Sequence, residues 1–184
     1  GYEGTPSIRQ LLAHTGGIPD YGGMPAYHEA VRATPDAPWE PDEYLSRTLP
    51  PGPLFEPGAG WAYSNVGYLL VRLALERVAA RPLGALLDDL VFAPLGLRHT
   101  RLAGVPDDAS GLSPGFGAER DAAGRPIDVL ARYHPGWVSH GTAIATAADA
   151  ARLIDGLLDG RLLRPASLAS MLAGVAVPGD HSPF

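Results

Sequence analysis

The longest apolar stretch of the sequence restricts the fold more than any other feature. It lies between Ser64 and Ala80, and its apolar residues fall on nearly every side of a helix: Val66, Leu69, Leu70, Leu73 and Val78. A helix without a polar face is stable only when it is buried in a core. We therefore predict a helix over Ser64–Ala80 that is the most buried element of a mainly helical domain.

Six shorter helices are indicated by residues that favour helix ends. Proline suits the first helical turn and glycine suits the position after the last one. Thr5 and Pro6 start the first helix, and Gly16–Gly17 ends it. Thr146 and Asp149 have the spacing of a capping box. The other predicted helices are Pro25–Ala33, Pro41–Leu49, a helix that opens at Pro82, one that runs from Thr146 to Gly160 and one from Pro165 to Gly174.

The stretch from Arg98 to Pro135 shows no sustained period and is rich in Gly, Pro and Asp. Unstructured loops of this length are uncommon inside a domain, so we expect short strands or a functional flap there. Strand signals are weak elsewhere, and the sequence contains no internal repeat. A length of 184 residues suits one domain with its own core.

Charge and composition exclude several classes of function. The formal charge of −6 argues against nucleic acid as a partner, because phosphate binding needs a basic surface. No apolar run is long enough to predict a membrane span, and the first residues show no basic or apolar leader. The sequence has no cysteine, which leaves the compartment undetermined. All fourteen basic residues are arginine, so this chain contains no lysine.

Motifs for cofactors and metals are incomplete. Gly115–Gly117 lacks the third glycine of a dinucleotide fingerprint, since Arg120 occupies that position. His134 and His140 have neither zinc-protease spacing nor a thiolate nearby. We therefore predict no cofactor and no metal.

A weak likeness to a nucleophile elbow occurs at Ser139–Gly141. That motif has a glycine two residues before the serine, and Trp137 stands there instead. Ser139 is thus only a secondary candidate for a nucleophile.

Three polar residues stand at the start of the long apolar helix, namely Tyr63, Ser64 and Asn65. In one interpretation Ser64 or Asn65 caps the helix, while Tyr63 packs against Pro57 or Trp61. In the other, the tripeptide is half of an active site. The tripeptide alone favours the cap.

Four blocks of sequence change this balance. They are IRQLLAHTGGIPDY (8–21), FEPGAGWAYSNVGYLL (55–70), FAPLGLRHT (92–100) and GTAIATAADAARLIDGLLDGRLL (141–163). In this order they resemble the class C β-lactamase-related serine hydrolases, which include β-lactamases, D-alanyl-D-alanine peptidases and esterases. The resemblance implies the helical lobe of the α+β fold of serine β-lactamases and penicillin-binding proteins, with the sheet domain largely missing.

The resemblance also implies part of a catalytic set. The family uses Ser-x-x-Lys, Tyr-x-Asn, and Lys-Thr-Gly or His-x-Gly on a strand. Tyr63 and Asn65 match the second motif, which makes Tyr63 the general base and Asn65 a hydrogen-bonding partner of the substrate amide and the lysine. A chain without lysine cannot contain Ser-x-x-Lys, and His181–Pro183 lacks the glycine of the third motif. We therefore expect residues 1–184 to be a partial domain.

Two further residues are candidates for substrate binding by this resemblance. Trp137 precedes the Gly141 block in a loop that is expected at the mouth of the site. If its indole is exposed there, it is expected to stack on a substrate. The alternative is that Trp137 lies in the core. His140 replaces the small residue more usual there. His14–Thr15 is interpreted as a structural turn at a helix end.

The expected function is therefore part of a serine hydrolase that acts through an acyl-enzyme on β-lactams, D-alanyl peptides or esters. We expect the isolated chain to be inactive, because it lacks the nucleophile and the lysine. Its expected partners are a small acyl substrate and the remainder of the same protein, and an uncovered apolar face is expected to favour self-association. The alternative is a non-catalytic helical binding module that keeps this fold.

Overall fold

A computed structural model describes residues 4–106, 111–121, 123–130 and 132–177, and it is mainly helical. The helices are α1 (Ile8–Leu12), α2 (Pro25–Ala33), α3 (Pro41–Thr48), α4 (Asn65–Ala79), α5 (Leu83–Leu87), α6 (Ala93–Leu95), α7 (Ala147–Leu158) and α8 (Pro165–Leu172). No helix within these ranges has the length and hydrophobicity needed to cross a membrane. The His181–Pro183 segment lies outside the described residues.

Most of the predicted helices are confirmed with nearly the same ends. α2 has the predicted bounds, α3 ends one residue early, and Ser64 and Ala80 are the caps of α4 rather than its first and last residues. The predicted start of α1 at Thr5 and Pro6 is wrong. Ser7 caps α1, because its side chain accepts a hydrogen bond from the Gln10 N–H while the Gln10 side chain accepts one from the Ser7 N–H.

Four short strands form two separate antiparallel pairs. β1 (Arg101–Ala103) pairs with β4 (Thr142–Ile144), with Arg101 opposite Ile144. β2 (Phe116–Arg120) and β3 (Pro126–Asp128) form the second pair. Three of the four strands fall within the stretch from 98 to 135, which confirms the expectation of short strands there.

The first half of α4 is the centre of the main core. Val66 and Leu69 are completely buried, and α1 and α3 pack against this helix. The core consists of Leu11, Ile18, Tyr21, Trp39, Tyr44, Val66, Leu69, Val71 and Trp137. All-round burial is wrong for the second half of α4, where Leu75 is 46% exposed and Val78 is 89% exposed. The buried residues of α4 all lie between Val66 and Val71, in its first half.

A smaller core joins α6 to α7. Phe92, Leu95 and Leu97 are buried there, and Leu153 of α7 packs against them. Gly156 permits this close approach, because a Cβ at that position would lie 2.5 Å from Leu95 Cδ2.

Asp149 ties the start of α7 to the chain before β1. Its buried carboxylate accepts hydrogen bonds from the His99 N–H at 2.8 Å, from the Thr100 hydroxyl at 3.2 Å and from Arg152 at 2.7 Å. The predicted capping box is thus only half right. Thr146 Oγ1 does accept a bond from the Asp149 N–H, but the carboxylate serves other donors.

Candidate active site

Tyr63 lies at the surface, directly before α4. Its side chain is 47% exposed, and its hydroxyl donates to Asn65 Oδ1 at 3.2 Å. Ser64 between them is buried, and its Oγ accepts from the Gly67 N–H at 3.0 Å. The two interpretations of the tripeptide are therefore compatible: Ser64 caps the helix, and its two neighbours form a hydrogen-bonded pair next to solvent.

Asp20 fixes the orientation of Asn65. Its Oδ1 accepts from the Asn65 N–H at 2.7 Å, and its Oδ2 accepts from Asn65 Nδ2 at 3.2 Å and from the Gly22 N–H at 3.0 Å. Because the amide nitrogen of Asn65 is directed at a carboxylate, the amide oxygen is left for Tyr63. Asp20 was not among the site residues predicted from the sequence. It belongs to the first matched block, but it lies 45 residues before Asn65 and no local pattern connects them.

His14 lies in the turn that follows α1, as predicted, and has a positive φ of 57°. Its side chain also belongs to the site. Nδ1 accepts from the Ser64 N–H at 3.2 Å, and the imidazole lies 4.6 Å from the Tyr63 ring between centroids. Burial lowers the pKa of His14, and the nearby Asp20 carboxylate opposes this effect.

His140 belongs to the same face of the molecule. A row of rings leads from His140 to Tyr68 at 5.9 Å, from Tyr68 to His14 at 5.1 Å, and from His14 to Tyr63. His140 Nδ1 is buried and has no hydrogen-bond partner among the described residues. Burial lowers the pKa of His140; Asp20 opposes the shift, while Arg72 and His14 add to it.

Trp137 does not occupy the exposed stacking position considered for it. It is 4% exposed, its Nε1 donates to the Pro35 carbonyl at 3.0 Å, and its ring lies 5.8 Å from the rings of Trp39 and Tyr27. A 3₁₀ turn at Pro135–Trp137 directs the indole inward. The structure therefore places Trp137 in the core, which was the alternative interpretation.

Ser139 is also buried. Its hydroxyl and its N–H both donate to the Tyr21 hydroxyl oxygen, at 3.1 and 3.2 Å. Burial raises the pKa of the Tyr21 phenol, and these hydrogen bonds lower it by a smaller amount. A nucleophile elbow needs an exposed hydroxyl beside a base, so this geometry contradicts that reading of Ser139.

A cavity of about 390 Å³ lies on another side of α4, bordered by Arg72, Trp39 and Ser139. Neither Tyr63 nor Asn65 lines it. The described residues also contain no group of three His, Cys, Asp or Glu side chains that could hold a metal ion.

The hydrogen-bonded pair of Tyr63 and Asn65, held by Asp20 and His14, can support acid–base and hydrogen-bonding chemistry.

The sequence as a whole matches the model of one protein family, described as Beta-lactamase, over residues 1–184. The chain belongs to the Beta-lactamase family. The family resemblance drawn from the four sequence blocks is thereby confirmed.

Two relatives of this Beta-lactamase family member are similar to it over part of their own length. Penicillin-binding protein 4* of Bacillus subtilis (strain 168) is 32% identical over 104 residues, which cover 55% of this chain and 22% of that protein. The solved D-stereospecific amidohydrolase from Streptomyces sp. is 28% identical with a TM-score of 0.83, and the match covers 95% of this chain and 53% of that one.

A penicillin-binding protein from Bacillus halodurans shows the same fold at lower identity. It is 23% identical, with a TM-score of 0.76, and the match covers 95% of this chain and 53% of that one. The chain thus spans about half the length of these two solved structures. Its mainly helical architecture with small sheets confirms the predicted helical lobe of this fold.

Proposed function

We propose that this chain is part of a serine hydrolase that works through an acyl-enzyme, with Tyr63 and Asn65 in its catalytic set. One observation carries the proposal. The exposed Tyr63 hydroxyl is hydrogen-bonded to an Asn65 side chain that Asp20 holds in a fixed orientation, at the start of a helix whose first half is buried. This is a Tyr-x-Asn pair in a chain of the Beta-lactamase family.

In the proposed reaction, a serine outside these 184 residues attacks the substrate carbonyl carbon. Tyr63 takes the proton of the serine hydroxyl as the new C–O bond forms, and it returns that proton to the leaving amine or alcohol as the scissile C–N or C–O bond breaks. Water then hydrolyses the acyl-enzyme and regenerates the serine. The Asn65 side chain hydrogen-bonds the substrate amide.

A phenol becomes an effective base only when a nearby cation stabilises the phenolate. The lysine of Ser-x-x-Lys is that cation in the proposed enzyme, and this sequence contains no lysine. We therefore propose that the isolated 184-residue chain is inactive.

The substrate class is proposed from chemistry shared by the relatives. One is named a D-stereospecific amidohydrolase, and another, from Escherichia coli (strain K12), a putative D-alanyl-D-alanine carboxypeptidase. We propose an acyl substrate with a D-configured residue next to the scissile bond, with β-lactams and simple esters as the other substrates to test.

The test replaces Tyr63 by phenylalanine in the full-length protein that contains this chain. Turnover of a chromogenic β-lactam, a D-alanyl peptide and a short ester is measured side by side. A general base contributes about 10²–10⁴-fold, so Tyr63→Phe is expected to lower kcat by that factor on the accepted substrate. Stability should hardly change, because the hydroxyl is exposed and makes one hydrogen bond to a neighbouring side chain.

Tyr27→Phe is the matched control. Its hydroxyl donates to the Trp137 carbonyl in the core, so this variant should lose about 1 kcal/mol of stability while kcat stays the same. A Tyr63→Phe enzyme at full rate would refute the proposed role. Flanking sequence without Ser-x-x-Lys would favour the non-catalytic binding module, and phosphonate labelling of the isolated chain would contradict its proposed inactivity.

A further inference from the structure

His14 holds the chain on both sides of Tyr63. Its carbonyl oxygen accepts from the Ala62 N–H at 3.0 Å, and its Nδ1 accepts from the Ser64 N–H at 3.2 Å. The imidazole lies against the Tyr63 ring, with 4.6 Å between centroids and 37° between planes. One residue therefore holds both chain neighbours of Tyr63, Ala62 through its carbonyl and Ser64 through its ring nitrogen, and contacts Tyr63 itself through its ring face.

The backbone of His14 is held in an uncommon conformation. Its φ of 57° lies in the left-handed region, which side chains other than glycine seldom adopt. Such a conformation persists only where surrounding contacts impose it. Here the His14 N–H donates to the Leu11 carbonyl at 3.2 Å, and buried Leu11 anchors α1 in the core. The turn therefore directs the imidazole from α1 toward the start of α4.

The hydrogen bond defines the protonation of the ring. A backbone N–H is only a donor, so Nδ1 must accept and carries no proton, which places the proton of the neutral imidazole on Nε2. A cationic His14 would have a proton on Nδ1 and would lose the bond to Ser64.

We propose that His14 is a positioning residue that fixes the Tyr63 phenol chiefly through the hydrogen bond between its Nδ1 and the Ser64 N–H, with the ring contact as a smaller support. This inference rests on the proposed function of Tyr63. His14 does not exchange a proton with the substrate; it holds the extended segment 62–64 so that the phenol stays in one place relative to Asn65. Catalytic geometry is sensitive to such support, since a displacement of about 1 Å can cost about 10²-fold in rate.

The test uses three variants of the full-length protein. His14→Gly tolerates the positive φ and removes both the ring and its acceptor. His14→Phe keeps a ring but has no acceptor. His14→Asn tolerates the left-handed region and presents an oxygen at the δ position, where Nδ1 now accepts. Thermal unfolding shows which variants are folded, and kcat and KM are measured for each.

The expected result is a fall in kcat of about 10–100-fold for His14→Gly with little change in KM, and recovery of most of that loss in His14→Asn. His14→Phe should resemble His14→Gly. Folded His14→Gly enzyme at full rate, or His14→Asn as slow as His14→Gly, overturns the proposal.

Tyr63→Phe in the same assay separates the two proposals. If Tyr63→Phe is slow while His14→Gly keeps its rate, only the positioning role fails. If Tyr63→Phe keeps its rate, the proposed function fails and the role of His14 fails with it.

Discussion

Replacing Asp20 should damage both the stability of α4 and the activity attributed to Asn65. The carboxylate accepts three hydrogen bonds, two of them from Asn65 and one from Gly22, at 2.7–3.2 Å. In Asp20→Ala the Asn65 N–H loses its partner at the first residue of the helix. The Asn65 side chain also loses the acceptor that directs its oxygen toward Tyr63.

The expected loss of stability follows from these contacts. A lost helix cap costs about 0.5–2 kcal/mol, and a negative charge removed from a helix N-terminus costs about 0.3–1 kcal/mol more. Together these give about 1–3 kcal/mol for Asp20→Ala, or about 2–4 °C in Tm for each kcal/mol in a domain of this size. Asp20→Asn keeps the shape and one acceptor, so its loss should be smaller.

Ser64→Ala is the matched comparison, because Ser64 caps the same end of α4 without touching the side chain of Asn65. Ser64→Ala removes the hydrogen bond that Ser64 Oγ accepts from the Gly67 N–H and the one that it donates to the Pro19 carbonyl, and this should also cost about 0.5–2 kcal/mol. The assay is urea unfolding together with kcat for each variant of the full-length protein. At similar losses of stability, Asp20→Ala should lose far more of kcat than Ser64→Ala. Equal effects of the two variants on kcat would refute the argument that Asp20 acts by orienting Asn65.

Two further predictions concern the core and pH. Leu69→Ala should lower the free energy of unfolding in urea by about 2–5 kcal/mol, because Leu69 is fully buried. Leu75→Ala on the same helix should cost much less, because Leu75 is 46% exposed. Equal losses in the two variants would contradict the assigned core. Burial by itself raises the pKa of Asp149, but hydrogen bonds from the His99 N–H, Arg152 and Thr100 outweigh it and lower the pKa. The stability that Asp149 contributes is therefore present above the ordinary pKa of an aspartate and is lost as pH falls through the lowered value. In Asp149→Asn the free energy of unfolding should therefore fall less steeply below about pH 4. An unchanged slope of that free energy against pH would contradict the prediction.

Local sequence signals predicted the helices well where a proline or a hydroxyl marks the start. Pro25, Pro41 and Pro165 each begin a helix, because the signal lies within one helical turn. The π-helical turn at Asp88–Phe92 between α5 and α6 was not foreseen. Pro94 follows it, and a proline lacks the N–H that a regular helix needs at that position, so the helix widens before it.

Burial was harder to predict than helix position. Leu75 and Val78 have the same apolar character as Leu69, but whether another element packs against them depends on tertiary structure. Trp137 shows the same limit in the opposite direction, since a tryptophan in a loop gives no local sign of pointing into the core.

The site was predictable only in part. The Tyr63–Asn65 pair is a local motif, and the structure shows the two side chains hydrogen-bonded to each other. His14 and Asp20 could not be assigned roles from sequence, because they contact residues 50 and 45 positions away. Their matched block gave the signal that the region matters, and the fold was needed to show what it contacts.

The separation between these segments has a consequence for the order of folding. The main-chain hydrogen bonds of α4 lie within its own 15 residues, whereas the contacts that His14 and Asp20 make with residues 62–65 require a loop of 45 to 50 residues to close. Closing such a loop carries an entropic cost that an isolated helix does not meet. We therefore expect helical signal and an intact site to be separate measures of folding, because only the second requires the long loop to close.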